Sequence, residues 1–495
     1  MKTSLVILFW SSLAFSADPR IQKSETVEIA LAGEAPLRLT LQQLMTALGV
    51  PGVSVAIVDD FKVVSARGYG VSAAGTKTAV TPNTLFQAAS ISKPVTATAT
   101  LALVEKGTLS LETDVNAALT SWKVPQNEFT KGHPVTLRQL ISHIAGTTVH
   151  GFAGYEVNTP VPTVIQILDG EKPANSLPVR VEFQPGSQER YSGGGITIEQ
   201  LLLTDVTGEA FPALLQRLVL GPSGMSQSTF EQPLSNKREK QAAIGTRANG
   251  KQVEGRWHVY PELAAAGLWT TPTDLAKFAI EIARARQGSS KVLSQAMTEK
   301  MLTPWDEGGA CTFHLDKQNP AQFSHNGANE GFQGMLTMNW KTGQGLVVLT
   351  NSDLGMRVNE LLLRSVARTW GWKYEFTGKP ASLPLIVKLR SVKAALARAA
   401  EIKAALKPEE LGEYEGMLNS LGYLLLSSGK TRDAITVFRR VTDELPASFN
   451  AWDSLGEAEM AAGDTAAAIK HYETSLELNP QNEAARVKLK DLRAR

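Results

Sequence analysis

Two apolar runs rich in β-branched residues, Val53-Ser54-Val55-Ala56-Ile57-Val58 and Leu346-Val347-Val348-Leu349, stand at opposite ends of the stretch from Leu39 to Trp372. Each belongs to a predicted hairpin. Val63-Val64 returns after a turn at Asp59-Asp60, and Met335 to Trp340 leads through a turn at Lys341 to Gln344 into Gly345 to Asn351. Between them lie helical stretches such as Ala97 to Gly107 and Asp274 to Arg286. Strands at both ends with helices between predict one large mixed α and β domain whose sheet is assembled from both termini.

The 495 residues allow that domain and more. A formal net charge of +2 with no cluster of Lys and Arg argues against a nucleic-acid role. The single cysteine, Cys311, cannot close an intramolecular disulfide and reads as a small packing residue. No His, Cys, Asp or Glu pattern has metal-ligand spacing, so neither metal nor cofactor is expected. Residues 1–17 combine a charged start at Lys2, an apolar run from Leu5 to Phe15 and small residues before Asp18. That pattern predicts a signal peptide cleaved near Ser16 or Ala17, hence an exported, periplasmic or secreted chain with no stable membrane anchor.

After this domain the pattern changes. Apolar residues at Leu385, Leu389, Val392, Leu396, Ala399 and Ile402 predict an amphipathic linker helix within 384–410, ended before Pro408. Over 411–495 an internal repeat follows: Leu421-Gly422 recurs as Leu455-Gly456, Gly429 as Gly463, Ala434 as Ala468, Phe438 as Tyr472 and Pro446 as Pro480, each at an offset of 34. That period resembles the tetratricopeptide repeat, a helix-turn-helix unit, and implies an all-α repeat domain. Two repeats alone bury little surface, so the pair is expected to pack on the linker helix, the preceding domain or another subunit, as a clamp or as a groove for a protein partner.

The segment Ser90-Ile91-Ser92-Lys93-Pro94 carries the chemistry. Proline is tolerated only in the first turn of a helix, so Pro94 fixes a helix start near Ser90, and the spacing of three puts Ser90 and Lys93 on one face. A helix start favours negative charge, as a serine alkoxide requires. A second tetrad, Ser427 with Lys430, lies at a predicted turn between repeat helices and is ordinary loop chemistry. No Gly-x-Ser-x-Gly occurs, which excludes the α/β-hydrolase arrangement.

In order after Ser90-x-x-Lys93 come Thr136 to Gly146, Tyr191-Ser192-Gly193-Gly194-Gly195, Ala265 to Thr271 and His325-Asn326-Gly327-Ala328-Asn329-Glu330-Gly331-Phe332. With this ordered set the chain, over about 39–375, resembles serine hydrolases of the class C β-lactamase superfamily, which includes D-alanyl-D-alanine peptidases, family VIII carboxylesterases and penicillin-binding-protein-like hydrolases. The resemblance implies an α+β fold, an antiparallel sheet flanked by a helical region. It also implies Ser90 as a nucleophile that becomes acylated, Lys93 as its base or electrostatic activator, and Tyr191 as a second proton-transfer group. The resemblance further implies that His325 opens the third motif, that the backbone N–H groups of Ser90 and Ala328 form an oxyanion hole, and that Gly193, Asn326 and Gly327 contact substrate. The choice between Lys93 and Tyr191 as base stays open. Lys341-Thr342-Gly343 spells a familiar third motif literally, yet it sits at a predicted hairpin tip, where such residues are turn chemistry. The glycines after Ser192 read as backbone approached by a ligand. His143, among Leu137, Leu140, Ile141 and Ile144, reads as a structural histidine on a helix face.

Two departures bear on substrate. Gly193 stands where class C β-lactamases have an asparagine, and His325 where they have a lysine. An imidazole holds a carboxylate less firmly than an ammonium. Three expectations follow: an acyl-transfer hydrolase on small amides, peptides or β-lactam-like substrates; a carboxylesterase with the same site; or a non-catalytic penicillin-recognising scaffold.

Overall fold

A computed structural model describes residues 18–304, 310–316, 319–374 and 383–493. The expected signal peptide lies outside them. Among the described residues no helix is long and apolar enough to cross a membrane. The chain divides into two compact units, one of residues up to Val27 with Thr40–Glu375, the other of Glu28–Leu39 with Phe376–Arg495.

The first unit is built on six strands: β1 (Gly52–Asp59), β2 (Lys62–Gly70), β3 (His314–Leu315), β4 (Gln322–Asn329), β5 (Phe332–Asn339) and β6 (Gln344–Thr350). Their order in space is β2-β1-β6-β5-β4-β3, antiparallel throughout. The first strand pairs with the last, Val55 opposite Val348 and Ala56 opposite Val347, so the sheet is closed from both ends of the domain as its apolar runs predict.

Four helices matter to the site: α1 (Ser92–Glu105), α2 (Gly193–Thr207), α3 (Pro272–Arg286) and α4 (Gly355–Trp370). The unbroken apolar run in β1 reflects burial on both faces. Ala56 and Val58 join Val347, Leu349 and Phe278 of α3 in the main core. Val55 and Ile57 face the other way, beside Leu362 and Val366 of α4. α1 is buried from Ser92 to Leu103 and α2 from Gly193 to Leu203, which makes them central helices with no solvent stripe over most of their length. Thr100 Oγ1 of α1 donates to Glu199 Oε1 of α2 over 2.6 Å. Cys311 is buried, its thiol pushed up by burial, and packs in the same core.

The first unit begins before the expected boundary at Leu39. The short helix Pro19–Ser24 belongs to it, with Trp370 Nε1 of α4 donating to Ser24 Oγ over 2.9 Å.

In the second unit the expected single linker helix is two, Leu383–Leu389 and Val392–Ala404. Ser391 breaks it by capping the second helix, its Oγ accepting from Ala394 N. The repeats are the helix pairs Leu411–Ser427 with Thr431–Glu444 and Phe449–Ala461 with Thr465–Leu478, followed by Glu483–Arg493. They pack on the linker, where Lys403 pairs with Glu444 at 3.1 Å. Ser427 to Lys430 forms the predicted turn, with Gly429 at φ 73°.

Candidate active site

Ser90 sits on a sharp connection. The strand Phe86–Gln87 pairs with Trp269–Thr270, and a single 3₁₀ turn, Ala89–Ile91, then leads into α1, whose third residue is Pro94. Ala89 adopts φ 51°, a left-handed conformation that costs a residue with a Cβ about 1–2 kcal/mol. Ser92 holds this turn: its Oγ donates to Ala89 O over 2.6 Å and accepts from Leu268 N at 3.0 Å. On the other side Gly327 of β4 comes so close that a Cβ there would lie 2.1 Å from Ala88 O. Only glycine allows β4 to lie against the turn that carries Ser90.

Lys93 is 2% exposed, and its Nζ donates to Ser90 Oγ over 2.9 Å and to Ala265 O over 2.8 Å. The spacing of three thus delivers a direct contact. Nζ also lies 4.9 Å from the centroid of the Tyr191 ring. The Tyr191 hydroxyl makes no hydrogen bond among the described residues. Lys93 is therefore the group that touches the nucleophile in this conformation.

Tyr191 precedes the capped start of α2. Ser192 Oγ accepts from Gly195 N over 2.9 Å and donates to Thr148 O over 2.7 Å. The three glycines let α2 approach the segment 147–152: a Cβ at Gly194 would lie 2.6 Å from Thr148 O, and one at Gly193 would lie 3.0 Å from the Phe152 ring. The glycines accommodate the chain's own backbone, and Gly193 is buried and not among the cavity-lining residues; it seats Phe152 and His150, which do line the cavity.

Histidines surround the tyrosine. The rings of His143 and His150 lie 4.5 and 4.9 Å from it, and His325 lies 6.4 Å away with His314 at 5.2 Å from His325. His143 is not on a helix face. The helix ends at Ile141, and His143 takes φ 60°, which turns its Nδ1 to accept from Ser192 N at 3.3 Å. Its proton is thus on Nε2, and burial holds its pKa down at about 3. His325, on β4, is 2% exposed, and its Nδ1 lies 2.6 Å from Asn326 O. A carbonyl only accepts, so Nδ1 carries the proton. Burial, then nearby His314 and Lys93, hold His325 well below the usual imidazole range, so it is neutral.

These groups share a cavity of about 720 Å³. Ser90, Lys93, Tyr191, His325, Asn326, Gly327 and Ala328 all line it. Sequence reasoning did not place His150, His314 and Asn329 in the wall: the first two lie outside the motifs, and Asn329 lies inside the third. Lys341-Thr342-Gly343 forms the β5–β6 turn, with Gly343 against Phe61. Among the described residues no group of three His, Cys, Asp or Glu side chains is arranged to hold a metal ion.

Comparison with known proteins agrees with this geometry. The Beta-lactamase family model matches residues 37–368, and the Tetratricopeptide repeat model matches 419–483. Protein flp of Staphylococcus aureus (strain N315) is 25% identical over 318 residues, 61% of this chain and 60% of its own length. The chain thus spans less than two thirds of that relative. The octameric penicillin-binding protein homologue from Pyrococcus abyssi shares the fold with a TM-score of 0.56 at 24% identity, over 66% of this chain and 75% of that one. A beta-lactamase/D-alanine carboxypeptidase from Yersinia pestis does so with a TM-score of 0.51 at 18% identity, over 66% and 95%.

Proposed function

The chain belongs to the beta-lactamase family, and from that premise we propose that it is an exported serine hydrolase that passes an acyl group to Ser90 and then to water. The observation that carries this reading is the 2.9 Å contact between Lys93 Nζ and Ser90 Oγ inside a cavity. Oγ bonds to the carbonyl carbon as its proton passes to Lys93 or to Tyr191, which lies beside Lys93. The carbonyl oxygen turns to the backbone N–H groups of Ser90 and Ala328. The leaving group departs with a proton, and water repeats the sequence on the acyl-enzyme.

The wall favours neutral substrates. Lys93 is the only Lys or Arg among the described lining residues, and Ser90 and Ala265 already engage it. His325 is neutral, so a terminal carboxylate finds no charged anchor in the third motif. This supports small acyl esters, and amides without a free carboxylate, over peptides gripped by their C-terminus. The test compares wild type and Ser90→Ala on a short-chain p-nitrophenyl ester, a D-alanyl p-nitroanilide and a chromogenic cephalosporin, with fluorophosphonate labelling. Ser90-dependent ester turnover is expected. Activity surviving in Ser90→Ala, or no labelling of Ser90, would overturn the mechanism, and preference for the cephalosporin would overturn the substrate class. Export is tested by fractionation of cells expressing the full chain.

A further inference from the structure

Asn329 ends β4, lines the cavity and is 8% exposed. Its orientation is fixed by a chain of hydrogen bonds. Gln87 Nε2 donates to His258 O over 2.7 Å, which turns Gln87 Oε1 toward Asn329. Asn329 Nδ2 donates to that Oε1 over 2.8 Å and to Ala266 O over 3.1 Å. Both partners only accept, so the amide cannot be flipped without opposing oxygen to oxygen. Both amide hydrogens are thereby used inside the protein. Oδ1 is left as an acceptor with no partner among the described residues.

The place matters. Gln87 stands three residues before Ser90, and Gly327, two before Asn329, abuts Ala88 at the nucleophile turn. Asn329 is thus tied to the same elements that hold Ser90, in the wall of the same cavity. Of the groups nearby, Lys93 donates to Ser90 and Ala265 and His325 Nδ1 to Asn326 O, while His325 Nε2 and the Tyr191 hydroxyl are, like Asn329 Oδ1, without a partner among the described residues.

We propose that Asn329 is a specificity-determining residue whose Oδ1 accepts a hydrogen bond from an N–H on the acyl side of the substrate, selecting N-acylamino esters or amides over purely alkyl or keto acyl groups. The proposal rests on the Ser90 acyl-enzyme reading above. A pre-oriented acceptor that a substrate leaves unpaired after displacing water is costly, so an N–H at that place discriminates.

The p-nitrophenyl esters of N-acetylglycine and of 4-oxopentanoic acid differ only by N–H in place of CH₂, and that of N-acetylsarcosine carries N–CH₃. With the full-length protein, kcat/KM is expected to be about tenfold higher for the N–H ester than for either analogue. In Asn329→Ala that ratio collapses to about one. Asn329→Ser, which keeps a small polar side chain there, gives the same collapse and serves if the alanine variant is insoluble. A merely structural role for Asn329 would lower all three esters together and leave the ratio unchanged. Equal kcat/KM in wild type, or a ratio preserved in the variants, overturns the proposal while the acyl-enzyme reading stands. No Ser90-dependent turnover of any of the three overturns both.

Discussion

Lys93 Nζ donates to Ser90 Oγ over 2.9 Å, from a side chain buried at the start of α1 and anchored at the same time to Ala265 O. The second contact fixes where the first can point, because α1 and the short helix Leu263–Ala266 together hold the nitrogen. Lys93→Met removes the nitrogen that contacts Ser90 Oγ and keeps the stem's packing. Acylation of Ser90 is expected to slow by about 10²–10⁴. Lys93→Arg is expected to lose a similar factor, since a planar fork cannot occupy the position of a compact ammonium between two oxygens. Rates of fluorophosphonate labelling in the two variants check this, and near wild-type labelling in either would remove Lys93 from the mechanism.

Gly327→Ala tests the fit between β4 and the nucleophile turn. The added methyl carbon would lie 2.1 Å from Ala88 O and 3.2 Å from Ala89 Cβ, against backbone that cannot rotate away. β4 has to retreat, carrying Ala328 and Asn329 with it. A loss of at least tenfold in kcat is expected, with a stability cost of about 1–3 kcal/mol. Urea unfolding separates the two effects: a stable variant with low kcat points to the displaced oxyanion donor.

Much of this was legible from residues alone, and the exceptions have local causes. The closed sheet could be read because β1 and β6 are apolar without alternation, a signature that survives in sequence. Ser90 and Lys93 could be paired because a spacing of three on a helix fixes their separation, whereas Tyr191 and His325 were legible only through the resemblance of the ordered motifs; all four line one cavity. His150 could not. It reaches Tyr191 only through the packing of the segment 147–152 on the glycines of α2, and no periodicity marks such a contact. His143 was misplaced because Leu137, Leu140, Ile141 and Ile144 keep helical spacing past the point where the helix ends. The linker was read as one helix because Ser391 caps the second half with a single side-chain bond, a signal too small to outweigh the apolar period.

Glu199 gives the catalytic unit a pH dependence. It is buried on α2 with Oε1 accepting from Thr100, and burial pushes its carboxyl up to about 8. An unfolded glutamate titrates near roughly 4.3. Between those values the folded state keeps the proton and the unfolded state releases it, so stability falls as pH rises through this window. Glu199→Gln keeps an oxygen for Thr100 and removes the titration. Its stability relative to wild type is expected to increase steadily from pH 5 to pH 8 and to level off above that. Urea unfolding at several pH values reads this difference, and a difference independent of pH would show that Glu199 ionises freely in the fold.

The two repeats place the same glycine under different strain. Gly422 of the first faces Phe438, and a Cβ there would lie 2.4 Å from the ring; Gly456 of the second faces Tyr472, and a Cβ there would lie 3.2 Å from its ring. Alanine is favoured over glycine inside a helix by about 1 kcal/mol. At Gly456 the Tyr472 ring has to give only a few tenths of an ångström, so that gain offsets the crowding and Gly456→Ala is expected to be close to neutral. At Gly422 the buried Phe438 ring has to leave its place, so Gly422→Ala is expected to destabilise the helices Leu411–Ser427 and Thr431–Glu444 by about 1–3 kcal/mol. Hydrogen exchange on the full chain resolves the two sites. Protection should fall in the first helix pair of Gly422→Ala and hold in the second pair of Gly456→Ala, and equal losses in both would mean that the clearance at the ring does not control the repeat.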